Sequence, residues 1–342
     1  MGAILLMLIC AWAIFRALTK SAGIAELAWF LLIICLGAFY QRFDQVIFYS
    51  RYVVLIMVVL LAILIINRLR LLGEGKPWAY AALVISGVLA YLGIVSNYMP
   101  GWRSTIANID TPLWNGTFYV VQGGNNLLVN GHRISSRATA QRHALDLVKL
   151  SPVGSSATQL FPGDDLSNYV VYNEAVHAPC NGTVLLRDDR FADLPAGVSD
   201  QENPAGNYLA IGCDEGFTVV LAHLRREIHP SRGDRVVRGQ YLGKVGNTGN
   251  TTEPHLHIHA VAGLVKDESE ALFTGDGIPF TVNHTVLFKN TLLHIKDCPP
   301  VPGIDLWSVT HPRETKLSIT RFSPALSKSM VSLLPSTALI TP

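Results

Sequence analysis

The stretch Pro254-His255-Leu256-His257-Ile258-His259 decides how the polar part of this chain is read. Successive side chains of a β-strand point to opposite faces, so His255, His257 and His259 share one face and Leu256 and Ile258 the other. Three imidazoles side by side on an otherwise apolar strand are costly to bury without a partner. A bound cation removes that cost, since neutral imidazole is a common metal ligand. A solvated polar face is the plain alternative.

The surroundings of this stretch are also strand-like. From Thr117 onward, short apolar runs such as Phe118-Tyr119-Val120-Val121, Tyr208-Leu209-Ala210-Ile211 and Phe217-Thr218-Val219-Val220-Leu221 alternate with Gly, Asn, Asp and Pro clusters. That spacing predicts antiparallel sheets in a sandwich or barrel. No long run with a period of 3.6 follows residue 110. Residues 301–342, rich in Ser, Thr, Pro and Leu without periodicity, read as an extended or disordered tail.

Residues 1–100 have a different composition. They hold ten charged side chains (Arg16, Lys20, Glu26, Arg42, Asp44, Arg51, Arg68, Arg70, Glu74, Lys76), although the whole chain has 27 Lys and Arg and 25 Asp and Glu. Apolar runs cover roughly 3–15, 22–40, 52–66 and 78–99. A membrane span takes about 20 residues, so the expectation is a four-helix transmembrane region over 1–100. Arg16 and Lys20 follow the first run instead of preceding it, which argues against a cleaved signal peptide. Loops 16–21 and 67–77 carry more Lys and Arg than loop 41–51. The positive-inside rule then puts the first two in the cytoplasm and everything after Met99 outside. Glu26 reads as an interfacial carboxylate near a helix end. A formal net charge of +2 gives no argument for nucleic-acid binding.

Chemistry concentrates beyond residue 131, where all 11 histidines lie. Upstream of the triplet runs Gly233-Asp234-Arg235-Val236-Val237-Arg238-Gly239-Gln240, then Gly246-Asn247-Thr248-Gly249. Leu221-Ala222-His223-Leu224 and Ala178-Pro179-Cys180-Asn181-Gly182-Thr183-Val184 come earlier. In order and spacing these motifs resemble the lysostaphin/LytM-type zinc metallopeptidases over roughly residues 115–290. The resemblance implies the all-β core of that family, a duplicated hybrid motif, in an extracytoplasmic domain over 101–300.

It also implies roles, position by position. His257 resembles the zinc-binding second histidine of the His-x-His motif, and His255 the catalytic first one. His223, in Ala-His-Leu, resembles the other catalytic imidazole, and Asp146, in Ala144-Leu145-Asp146, an aspartate ligand. The family places a third ligand, a histidine, four residues before that aspartate, where this chain has Arg142. Two candidates remain: His132 in Asn130-Gly131-His132, which is favoured, and His143 as the alternate, which strand alternation points away. His259 stands where the family usually has Glu and reads as a spare group behind the ligands. Gln141 is a weak candidate for orienting a ligand. His177, His229, His284, His294 and His311 read as surface histidines.

Cys180 and Cys213 come close if the strand after Asn181-Gly182 pairs antiparallel with Tyr208–Ile211, and an oxidising compartment permits a bridge.

Three functions are weighed. A multi-pass inner-membrane zinc endopeptidase that cuts stem or cross-bridge peptides of bacterial peptidoglycan leads. A zinc-free member that binds and regulates other wall hydrolases is the alternative kept open by Arg142. A membrane carrier or sensor is disfavoured by the lack of polar motifs in the apolar runs.

Overall fold

In a computed structural model of the chain, the described residues are 2–19, 23–46, 48–71, 107–127, 129–135 and 137–295, with 81, 85 and 87 standing alone. The first of these segments are helical: α1 (Gly2–Leu18), α2 (Ile24–Tyr40) and α3 (Ser50–Leu71). Their apolar side chains exceed what a small bundle can hide. Cys10, Ala13, Leu27, Leu31, Ile34, Leu61 and Ile65 pack between the helices, while Leu5, Leu8, Phe15, Trp29, Ile33, Leu55, Ile56 and Val59 face outward.

Among the described residues, one helix is long and apolar enough to cross a membrane: Ser50–Arg68 within α3, with mean hydropathy 2.4 over its apolar window. Its 19 residues extend roughly 28 Å at 1.5 Å per residue, close to a hydrocarbon core. The apolar parts of α1 and α2 are shorter, Ala3–Leu18 and Glu26–Cys35. Four spans were expected. Each of these two stretches carries a charge, Arg16 and Glu26, and these two residues pair across the α1–α2 corner at 3.1 Å. The fourth run, 78–99, lies outside the described residues apart from positions 81, 85 and 87, as does the expected tail.

Among the described residues the β part has twelve strands: β1 (Ala107–Ile109), β2 (Gly116–Gln122), β3 (Leu145–Leu150), β4 (Ala175–His177), β5 (Gly182–Asp188) and β6 (Asn207–Cys213), then β7 (Phe217–Leu224), β8 (Arg235–Val236), β9 (Tyr241–Lys244), β10 (Leu256–Ala262), β11 (Phe280–Val282) and β12 (Leu292–Ile295). Eight form one antiparallel sheet in the order β12-β2-β3-β10-β7-β6-β5-β8. Two ribbons stand beside it, β4 with β9 antiparallel and β1 with β11 parallel. The antiparallel expectation is met. Among the described residues the large sheet is open, ending at β12 and β8, and is not closed into a barrel.

Alternation sorts the two faces of this sheet. Leu147, Leu209, Ile211, Val219, Leu221, Leu256 and Ile258 join Val176 and Leu242 of the β4–β9 ribbon in the main core. The opposite face presents Tyr208, Ala210, Val220, Ala222 and Val261, capped by Ala140 and by Ala271 and Leu272 of a short helical turn, Glu270–Thr274. His257 and Asp146 belong to that second face. Cys180 and Cys213 are joined by a disulfide, with Cα atoms 5.8 Å apart, because Gly182 pairs with Cys213 in the β5–β6 ladder.

The connection from α2 to α3 docks on the β part. The Ser156 amide donates to the Asp44 carbonyl (2.9 Å) and the Phe48 amide to the Gly154 carbonyl (2.7 Å). The Phe48 ring, 1% exposed, packs edge-on against Tyr119.

Candidate metal centre

The site forms where β3, β10 and β7 lie side by side. Asp146 and His257 are direct cross-strand partners in the β3–β10 ladder, and His257 pairs on its other side with Ala222 of β7. This puts the Asp146 carboxylate 2.9 Å from His257 Nδ1 (Oδ1) and 2.9 Å from His132 Nε2 (Oδ2). His132 arrives from a turn after β2 in which the Asn130 side chain accepts from the His132 amide and donates to the Ala144 carbonyl. Donor atoms of His132, Asp146 and His257 lie within 4.8 Å of one another, and so do those of His223, His255 and His257. His143 enters neither group. Beside Arg133 and Arg142, and driven mainly by burial, its pKa falls to about 4.

Hydrogen bonds settle which ring nitrogens carry protons. The Ala271 carbonyl accepts from His259 Nε2 (2.9 Å), so His259 Nδ1 is bare. It accepts from His257 Nε2 at 3.0 Å. His257 Nδ1 therefore presents a lone pair to the Asp146 carboxylate. Two electron-rich atoms 2.9 Å apart in a buried site repel unless a cation lies at them. Two imidazole nitrogens and a carboxylate suit zinc and leave one tetrahedral position open.

His223 and His255 face the same space with ring centroids 4.7 Å apart. His223 Nδ1 donates to the Thr248 carbonyl (2.9 Å), and His255 Nδ1 to the Glu253 carbonyl (2.9 Å). Each ring thus turns a bare Nε2 into the site; that of His255 is 3.7 Å from Asp146 Oδ1. The His223 backbone has φ +62°, a left-handed conformation rare for a residue with a side chain. Its amide donates to the Ala205 carbonyl (3.1 Å) and its carbonyl accepts from the Gly246 amide (3.0 Å). The Gly246–Gly249 motif is explained by this packing. Gly249 has φ +85°, and a Cβ there would stand 2.4 Å from the Gly206 nitrogen.

Burial lowers the pKa of His223, His255 and His257, so the rings stay neutral. Burial alone would raise Asp146, but His132, by charge and by hydrogen bond, works against it, and the carboxyl is held well below its usual range. The same pair works in reverse on His132, where Asp146 overcomes burial and raises the imidazole. A cavity of about 120 Å³ opens onto the site between His132, His223, His257, Asn250 and Gln141.

Residues 166–264 match the description "Peptidase family M23". This segment is a family M23 peptidase domain. The match holds His223, His255 and His257; Asp146 and His132 lie before it in sequence and are brought to it by β3 and the turn after β2. Over 89 residues the chain is 35% identical to the peptidoglycan DD-endopeptidase ShyA of Vibrio cholerae serotype O1, covering 25% of this chain and 20% of that protein. The chain thus aligns with about a fifth of that relative's length.

Two solved structures are similar to part of this chain. A zinc-containing peptidase from Vibrio cholerae is 21% identical, covering 48% of this chain and 38% of that one, with a TM-score of 0.28. The catalytic domain of lysostaphin from Staphylococcus simulans is 16% identical, covering 47% and 88%, with a TM-score of 0.27. Scores this low add nothing to the assignment.

Of the sequence candidates, His132, Asp146, His223, His255 and His257 come together and His143 does not. Gln141 donates to the Leu272 carbonyl (2.8 Å) and so ties the capping turn over the site. His259 is 1% exposed and bonded to His257, behind the ligands. One reading changes. His177, expected at the surface, is 5% exposed and stacked on Trp114. Arg42, counted in the sequence only among the charges of residues 1–100, pairs at the edge of the site with Glu253, which carried no sequence signal.

Proposed function

We propose that this chain is a membrane-anchored zinc metalloendopeptidase that hydrolyses peptide bonds of bacterial peptidoglycan. One observation carries the reading: the lone pair of His257 Nδ1 and the carboxylate of Asp146 converge with His132, and the bare Nε2 atoms of His223 and His255 face the same space. His132, Asp146 and His257 would hold the metal. When bound there, zinc supplies Lewis acidity, which polarises a peptide carbonyl and acidifies water.

The chain's own residues do the rest. His255 Nε2 accepts the proton of the attacking water, since its Nδ1 is already committed to the Glu253 carbonyl. Once protonated, that Nε2 becomes a donor and passes the proton to the departing amine. His223 is held in the same tautomer by Thr248, so its bare Nε2 offers a second proton acceptor facing the same space.

The substrate class is supported by the DD-endopeptidase activity of ShyA. Anchoring is supported by α3, whose Leu55, Ile56, Val59 and Ile63 are bare of protein cover. The α2–α3 connection docks on the β part, so both lie on one side of the bilayer. Arg68 and Arg70, at the far end of α3, then fall on the cytoplasmic side and the M23 domain outside.

Full-length protein purified in detergent tests the reading. The expected result is about one zinc per chain and release of soluble fragments from purified peptidoglycan, both lost to a chelator and restored by zinc. A folded, zinc-free, inert protein would instead support the regulatory alternative. A reporter fused after Met99 reads extracytoplasmic if the orientation holds.

A further inference from the structure

We propose that Arg42, on the connection between the two apolar helices α2 and α3, is a positioning residue for His255. This rests on the reading of His255 as the proton acceptor. Arg42 is set in place by the docking of its loop. The Asp44 carbonyl accepts from both the amide and the hydroxyl of Ser156 (2.9 and 3.3 Å), and Phe48 is buried beside Tyr119. The Arg42 guanidinium then spans two carboxylates. Nε donates to Asp44 Oδ1 (3.1 Å), Nη2 pairs with Asp44 Oδ2, and Nη1 pairs with Glu253. Asp44 is fully buried, and the Arg42 and Glu253 side chains are 19% and 16% exposed.

Glu253 stands two residues ahead of His255, and its backbone does the positioning. Its carbonyl accepts from His255 Nδ1 (2.9 Å) and from the Thr251 hydroxyl (2.7 Å), which itself stands 3.2 Å from His255 Nδ1. Holding the Glu253 side chain therefore fixes the carbonyl that sets the His255 tautomer and aims its bare Nε2. A half-buried ion pair is a poor source of net stability because desolvation offsets the attraction. A planar fork gripping two carboxylates is a good source of fixed geometry. The consequence is that the Glu253 turn, which holds the base, is itself steadied by a residue of the helical part.

Two substitutions in the full-length protein in detergent test this. Arg42→Ala strands the buried Asp44 and is liable to undock the loop, so Glu253→Gln, which leaves the Arg42–Asp44 fork intact, carries the test. The readouts are zinc content, kcat and KM on purified peptidoglycan fragments, and amide hydrogen exchange over 251–255. Glu253→Gln is expected to lower kcat roughly tenfold with KM within about twofold, because a small misaim of a catalytic group costs rate rather than binding. Zinc content stays at the wild-type level, exchange over 251–255 speeds up, and Arg42→Lys, which keeps the charge without the fork, falls between. Unchanged exchange and kcat in Glu253→Gln would overturn the proposal, and so would a loss of kcat that only tracks a loss of zinc. If the wild-type protein itself bound no zinc and cut nothing, the proposed function would fall. The exchange measurement would still read whether Glu253 anchors the turn.

Discussion

His257 and Asp146 are direct partners across two antiparallel strands, and the imidazole Nδ1 stands 2.9 Å from the carboxylate. Register therefore builds half of the site. A slip of β10 by one residue would send His257 into the apolar core and bring Leu256 or Ile258 to the polar face. The second face of the sheet keeps these groups buried, and burial is what makes a bare cation-binding pair costly to leave empty.

The third donor is testable by comparing two histidines. His132→Ala removes a group 2.9 Å from Asp146 and is expected to weaken zinc binding by more than about 100-fold. His143→Ala is expected to change it by less than about threefold, since His143 lies outside both donor groups. Competition with a chromophoric chelator measures both. Equal losses would mean that the turn carrying His132 is not the ligand segment.

His259 orients His257 from behind. His259→Leu breaks the run from the Ala271 carbonyl through His259 to His257 and is expected to cost roughly 10–100-fold in zinc affinity. His259→Gln offers a carbonyl oxygen at the same place and should recover part of that loss. The nitrogen shifts of His257 in metal-free protein report its tautomer directly, with no need for activity.

His177 links acid to stability away from the metal centre. Its ring stacks on Trp114 with centroids 3.5 Å apart, and burial pushes its pKa down to about 4. The unfolded chain, at about 6.5, takes up the proton first. Stability from this residue is thus complete above pH 6.5 and lost as pH falls toward 4, by about 3 kcal/mol. His177→Phe keeps the stack and removes the titration. Denaturant unfolding at pH 7 and pH 4 should show a smaller acid loss in the variant by that amount.

The disulfide closes a loop between residues 33 apart in sequence. Replacing Cys180 and Cys213 by Ser is expected to cost about 3–4 kcal/mol from the regained freedom of the unfolded chain. Chemical denaturation with and without reductant checks this: reductant should lower the midpoint of the wild type and leave the double variant unchanged.

Local patterns made much of this legible. The period of two in His255, His257 and His259 predicts one shared strand face; His257 and His259 share it on β10, and His255 stands just before the strand. Gly246 and Gly249 predict tight turns, and Gly249 sits at φ +85°. The apolar runs predict helices, and α1, α2 and α3 follow them, but only α3 has the span-length stretch. His177 was misjudged because a lone histidine beside Ala178-Pro179 carries no periodic signal; its burial comes from Trp114, more than sixty residues away in sequence.

What the sequence determined by itself is everything that depends on neighbours along the chain: strand alternation, turn glycines, apolar length, and hence which imidazoles share a face. What only the tertiary structure decided is which distant groups meet that face. His132 rather than His143 reaches Asp146 because an asparagine-capped turn after β2 folds back over β3. Arg42 reaches Glu253 because a loop between two apolar helices docks on the sheet. Backbone periodicity is a local property, written in a few consecutive residues. The meeting of residues far apart in sequence is set by loop closure and packing, which no window of sequence contains.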